Sequence, residues 1–203
     1  MKRFLYPLIL SVSFIFGGVQ SVAQESALTG KNNDLKFTLL SIGSGSSRFT
    51  YERAIGEKNS AEITLGIVGW GADMMNKADP EGLLIKAAYK WNLIPMEKAQ
   101  SALAGFYVKP ELVIANFDYT HPISALKSDD GGSALNRYNV LRWALMAECG
   151  YQLLLNWFVF DIYTGLGPSF GDVALNNYYH SFMLYPAGSN LAFTAGFRLG
   201  VAF

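Results

Sequence analysis

The residues able to do acid–base or nucleophilic work are few in this chain. It has two histidines and one cysteine, Cys149. His180 and Ser181 are neighbours, and on a strand successive side chains point to opposite faces, so they do not form a nucleophile–base pair there. His121, Ser124, Asp129 and Asp130 fall in one polar stretch and could gather as base, nucleophile and carboxylate. Such chemistry needs a geometry that spacing alone does not supply, and polar residues in a long connection are expected from solvation. Ser128 to Ser133, SDDGGS, offers oxygen ligands for calcium, but it lacks the regular ligand spacing of a calcium loop, and Asp and Gly are ordinary turn residues. No metal or other cofactor is therefore expected. Cys149 has no partner for an intrachain disulfide and reads as a small apolar residue.

More informative is a set of charges that recurs at every second position of apolar segments. It comprises Lys36, Arg48, Lys86, Lys90, Lys109, Arg142 and Arg198 against Glu52, Glu62, Glu111, Glu148 and Asp161. A period of two is the period of a strand. In the segment 190–203, Leu191, Phe193, Ala195, Phe197, Leu199, Val201 and Phe203 share one face, while the other is small or polar and carries Arg198. The 20 residues from Leu141 to Phe160 repeat the pattern, with Arg142, Met146, Glu148 and Gln152 on one face and Leu141, Trp143, Leu145 and Tyr151 on the other. As a membrane helix this segment would carry mid-span charges at about 2.5–3.5 kcal/mol each. Alternation removes that cost.

Six further segments alternate in the same way, around Leu35 to Gly43, Ser47 to Ile55, Ala61 to Gly69, Leu83 to Leu93, Ala102 to Ala115 and Phe158 to Pro168, giving eight strands. Arg53 falls on an apolar face, which is tolerable near a membrane border where it can snorkel. Connections after the second, fourth and sixth strands read short (Gly56 to Asn59, Pro95 to Ser101, about Asn156). Those after the third, fifth and seventh read longer (Gly71 to Gly82, Asn116 to Arg137, Ser169 to Gly188), and only Gly43 to Ser46 departs from that parity. Trp70, Trp91, Tyr119, Tyr138, Trp143, Trp157 and Phe158 fall at the expected borders, where amphipathic rings suit a headgroup layer.

With 203 residues, 51% hydrophobic and 16% charged, the composition suits one domain poorer in charge than soluble proteins, which carry roughly 25%. Zero formal charge gives no footing for nucleic acid. At the N-terminus, Lys2 and Arg3, an apolar run from Phe4 to Phe16 and Ser21-Val22-Ala23 have the form of a Sec-type signal peptide spanning 1–23, which assigns 24–203 to the mature domain.

These features resemble the small eight-stranded outer-membrane barrels typified by the OmpA transmembrane domain and OmpX. Phe49-Thr50-Tyr51-Glu52-Arg53, the closing strand and terminal Phe203 also look like a Bacteroidetes-type barrel family of uncharacterised function. The resemblance implies an all-β, antiparallel up-and-down transmembrane barrel in the cell outer membrane, in contact with lipid and lipopolysaccharide. Phe203 would be the mark read by the barrel-assembly machinery, and no peptidoglycan-binding domain is expected after it. An eight-stranded barrel is just wide enough for its own side chains to fill, so the charges above are expected to form a paired polar plug without a continuous pore. The expected role is structural, or recognition of an extracellular ligand through the outer loops, with Tyr178, Tyr179 and Tyr185 as contact residues. The alternatives are a lipid A-modifying enzyme embedded in the barrel and a narrow channel.

Overall fold

The computed structural model describes residues 30–73, 80–95, 101, 103–122, 135–172 and 190–203. Eight strands form one closed antiparallel barrel: β1 (Asn33–Thr38), β2 (Ser44–Ala54), β3 (Asn59–Asp73), β4 (Glu81–Pro95), β5 (Gly105–Pro122), β6 (Leu135–Leu155), β7 (Phe158–Gly171) and β8 (Leu191–Ala202). Each pairs with its sequence neighbours, and β1 closes the ring against β8 from Asp34↔Ala202 to Thr38↔Arg198. This is the architecture the alternation implies. The assigned signal peptide, 1–23, lies outside the described residues.

The pleat separates two environments. Among the outward residues Leu65, Ile85, Ile114, Leu145, Ile162 and Phe193 are each 40% exposed or more, and Trp70 reaches 64%. Inward, the largest fully buried side chains include Arg48, Arg198, Lys36, Lys90 and Lys109. Water-soluble folds do the reverse, burying aliphatic side chains and burying Lys and Arg almost never unless paired. Contiguous exposed apolar area beyond a few hundred Å² marks a surface that something apolar covers. Trp91, Trp143 and Trp157 stand outward as expected, and Arg53 is exposed one residue before the end of β2. Tyr119 and Tyr138 face one another across β5 and β6 through their backbones.

Three expectations need correction. The first strand stops at Thr38 rather than Gly43, and Leu40–Gly43 instead form one short helical turn, α1. The run Leu39-Leu40-Ser41-Ile42 has apolar residues on both possible faces, so a period of two does not hold it in the sheet. The fifth strand begins at Gly105 rather than Ala102. The segment before it turns into the barrel, leaving Leu103 and Ala104 fully buried. The connection it creates, 96–104, is longer than the one between β3 and β4, 74–80, so loop length does not sort strictly by parity. The strand ends that flank the other two long connections, Pro122 and Leu135, Gly171 and Leu191, lie at the end of the barrel away from Asn33 and Phe203.

Tight joints at the terminal end have local causes. Between β6 and β7 only Asn156 and Trp157 intervene, and Asn156 takes φ 59°, a left-handed conformation that Asn tolerates. Inside, Gly150 and Gly196 make room for tyrosines. A Cβ on Gly150 would lie 2.5 Å from the Tyr107 hydroxyl, and one on Gly196 would lie 2.8 Å from that of Tyr163.

Candidate functional site: the ionic lumen

All twelve charged residues assigned to the inner face, Lys36, Arg48, Glu52, Glu62, Lys86, Lys90, Lys109, Glu111, Arg142, Glu148, Asp161 and Arg198, are at most 6% exposed. Pleat parity brings them there, and register decides which of them meet. Glu52 and Glu62 are direct cross-strand partners on β2 and β3, an arrangement that is destabilising by itself because like charges face each other. Lys36, arriving from β1, resolves it. Its Nζ donates to Glu52 Oε2 at 2.5 Å and Glu62 Oε1 at 2.8 Å, and to Gln152 Oε1 at 3.1 Å. Asp34 and Asp161 complete its surroundings at 3.7 Å each.

Four more cations extend the network around the wall. Lys90 donates to Glu52 Oε1 (2.8 Å) and Gln152 Oε1 (2.7 Å), and lies 4.3 Å from the Tyr107 ring centroid. Lys109 pairs with Glu62, with Glu111 at 3.1 Å and with Glu148 at 3.2 Å. Lys86 meets Glu111 at 2.6 Å. Arg198 spans Glu62 (3.3 Å) and Asp161 (3.2 Å), its guanidinium 4.1 Å from the Tyr163 ring centroid. Arg48, 1% exposed, lies within electrostatic reach of Glu111 and Glu148. Arg142 sits apart, nearer the far end, donating to Ser169 Oγ at 2.9 Å and to the Asp172 carbonyl at 3.0 Å.

Several members are not in the charge inventory drawn from sequence. Asp34 is one, accepting a 2.7 Å bond from Gln152 Nε2. It lies two residues before Lys36, on the same parity, and starting the first strand at Asn33 would have included it. Gln152 has no charge to flag it, yet it bridges Lys36, Lys90 and Asp34. Tyr107 donates to Asp161 at 2.8 Å and Ser60 donates to Glu52.

Asp34, Glu52, Glu62, Glu111, Glu148 and Asp161 thus face Lys36, Arg48, Lys86, Lys90, Lys109 and Arg198, six carboxylates against six cations. Arg142, a seventh buried cation, lies outside this set. Burying ions costs several kcal/mol each, and only good geometry to opposite charges repays it. The network meets this by giving Lys36, Lys90, Lys109 and Arg198 two or more oxygen partners each.

The ionic band does not fill the whole lumen, as an inventory of charges alone would suggest. Bordering it toward the far end, and in part alongside Lys86 and Glu111, lies a buried apolar cluster that includes Val68, Leu84, Val113, Phe117, Val140 and Met146. At the terminal end Ala104, Leu154, Val159 and Ala202 form a second one. Leu103 belongs to that floor, and its carbonyl accepts a 3.2 Å bond from Lys90, so floor and network are joined. The charges are held between two oily layers. Buried Arg142 and Ser169 sit among the far layer, paired through their backbones with Ala115 and Ala144.

Of the residues considered for catalysis, His121 pairs through its backbone with Asn136 near the far end, and its side chain is not among those described. Ser124, Asp129, Asp130, His180 and Ser181 lie outside the described residues, as do Ser128 to Ser133, Tyr178, Tyr179 and Tyr185. Among the described residues no group of three or more His, Cys, Asp or Glu is placed to hold a metal.

Fold and lumen together define a small, closed, eight-stranded antiparallel barrel turned inside out in polarity. Comparison with known proteins adds one likeness. The chain is similar to the crystal structure of the N-terminal β-barrel domain of Pseudomonas aeruginosa OprF, with a TM-score of 0.44 and 10% identity over 86% of this chain and 98% of that one. No protein-family model matches the chain, and no curated protein matches it.

Proposed function

We propose that this chain is an integral protein of the bacterial outer membrane, exported on the signal peptide 1–23, with a structural role in the envelope or a recognition role through its outer loops. The observation that carries this reading is the inverted polarity: aliphatic and aromatic side chains cover the outside while Lys36, Lys90, Lys109 and Arg198 are enclosed. Hydrocarbon solvates such an exterior, and a closed barrel leaves few backbone groups for lipid to satisfy. In this reading the terminal end is periplasmic, Phe203 on the outward face presents the assembly mark, and the connections 123–134 and 172–190 reach the cell exterior among lipopolysaccharide.

A structural or recognition role is favoured over conduction because the lumen charges are bonded to each other and buried apolar side chains lie toward both ends of the band. An epitope tag inserted at Gly131 tests location and orientation together. The tag is expected on intact cells, in a protein that co-fractionates with the outer membrane. A tag accessible only after permeabilisation would refute the orientation, and a soluble protein would refute residence. Planar-bilayer recordings should show no stable conductance, and reproducible open levels would make the chain a channel.

A further inference from the structure

The wall of the barrel has a seam along β8, and its cause is the early exit of β1. Phe203 and Asn33 exchange both backbone bonds, at 3.1 and 2.9 Å. In an antiparallel pair, alternate residues therefore turn their N–H and C=O toward β1: Val201 and Leu199, then Phe197, Ala195, Phe193 and Leu191. The pairing ends at Thr38↔Arg198. Beyond it α1 swings onto β2 and β3, where a Cβ on Gly71 would fall 2.6 Å from the Ile42 carbonyl oxygen. No strand among the described residues pairs with the upper edge of β8.

An open groove of about 540 Å³ begins at this seam on the outer surface, within the roughly 300–1,000 Å³ of ligand-binding clefts. Leu40 of α1 and Phe197 of β8 flank its upper end, and its floor crosses Ala195, Thr164 and Cys149 to reach Phe106. Those three small residues are in register, Cys149↔Thr164 and Thr164↔Ala195. Ile162 and Tyr151, in register with Phe197, raise a wall along one side. The Thr164 hydroxyl donates back to the Thr194 carbonyl at 3.3 Å, so the floor presents carbon. The groove descends as it runs: Ala195 lies seven residues from the end of β8, while Phe106 is the second residue of β5.

We propose that the groove and seam form a binding site for one membrane phospholipid, an acyl chain lying along Ala195, Thr164 and Cys149 and the headgroup at the open β8 edge. The proposal rests on the membrane reading above. An open sheet edge facing hydrocarbon is not tolerated unless something satisfies it, and a carbon chain alone brings neither donor nor acceptor. A phosphatidylethanolamine brings both: ester oxygens accept from the N–H groups of Phe193 and Ala195, and its ammonium donates to their carbonyls. A second copy of the chain does not fit. Two copies related by a two-fold axis along the membrane normal would set their tilted β8 strands across one another, so the two edges could not form a ladder.

The test is native mass spectrometry of the barrel released from octyl glucoside micelles containing dipalmitoyl phosphatidylethanolamine, with heat-modifiable gel mobility confirming closure. The unaltered protein is expected to retain one lipid. A floor-filling variant, Ala195→Phe with Cys149→Leu, is expected to lose it while staying folded, and Val201→Phe, on the same face below the groove, to keep it. Exchanging the lipid for dipalmitoyl phosphatidylcholine, which has no N–H, should lower retention. A closed barrel that carries no lipid, or a floor-filled variant that retains it like the unaltered protein, overturns the site and leaves membrane residence standing. A chain soluble without detergent overturns both.

Discussion

Replacing Lys36 by Met removes the cation that holds the facing pair Glu52 and Glu62 together while keeping most of its volume. Lys36 donates to both carboxylates, at 2.5 and 2.8 Å, and has Asp34 and Asp161 at 3.7 Å. Breaking one buried ion pair by deleting a partner costs about 3–5 kcal/mol. Two direct partners would suggest the upper end or beyond. However, Glu52 keeps Lys90 at 2.8 Å and Ser60, and Glu62 keeps Lys109 and Arg198, so the remaining network absorbs part of the loss. The expected cost is about 3–5 kcal/mol, a large share of the roughly 5–15 kcal/mol that holds a typical fold. Urea titration of the barrel in phospholipid vesicles, followed by tryptophan fluorescence and gel mobility, measures it. Adding Glu52→Gln to Lys36→Met should recover part of the loss, with a coupling of about 0.5–3 kcal/mol between the two sites. Lys86→Met should cost less, because Glu111 retains Lys109 at 3.1 Å. A Lys36→Met barrel within about 1 kcal/mol of the parent, the size of an exposed ion pair, would refute the idea that these charges act as one buried network.

The exterior and the glycine floor give two further tests. Leu65, outward in the middle of β3 and 41% exposed, should cost about 2–4 kcal/mol when changed to Arg in vesicles. A cost near zero would mean water, not lipid, covers that face. Gly196→Val should displace the Tyr163 ring from under Arg198, since a Cβ there meets the hydroxyl at 2.8 Å. It should lower the urea midpoint, whereas Gly56→Ala, whose Cβ meets only Asn59 at 4.0 Å, should leave it unchanged. Equal effects of the two would refute the packing account.

Strand number, face and closing topology were legible in the sequence wherever charged and apolar residues strictly alternate. Arg142, Glu148, Arg198 and Asp161 announce their own parity, because a charge tolerates only one of the two environments. The pattern loses its grip where both faces are apolar. Leu39-Leu40 admits either a longer β1 or the α1 turn, and Val140-Leu141 and Leu153-Leu154 hide the apolar layers on each side of the ionic band. Those layers are missed by any search for charge. Pairing is a different kind of information. That Lys36 neutralises Glu52 and Glu62, 16 and 26 residues away, follows from the offset between strands once the sheet closes. No local spacing encodes that offset. Gln152 shows the same limit: an uncharged residue becomes the bridge between Asp34, Lys36 and Lys90 only in the closed barrel.

A sheet curled shut, with its charges enclosed and its apolar side chains facing lipid, reveals itself in the gel mobility of the membrane-extracted protein with and without boiling. The protein should need detergent for extraction, and its unboiled band should migrate apart from the boiled one, with the shift abolished only by unfolding. A protein that stays in solution without detergent and runs at one position under both conditions would contradict it.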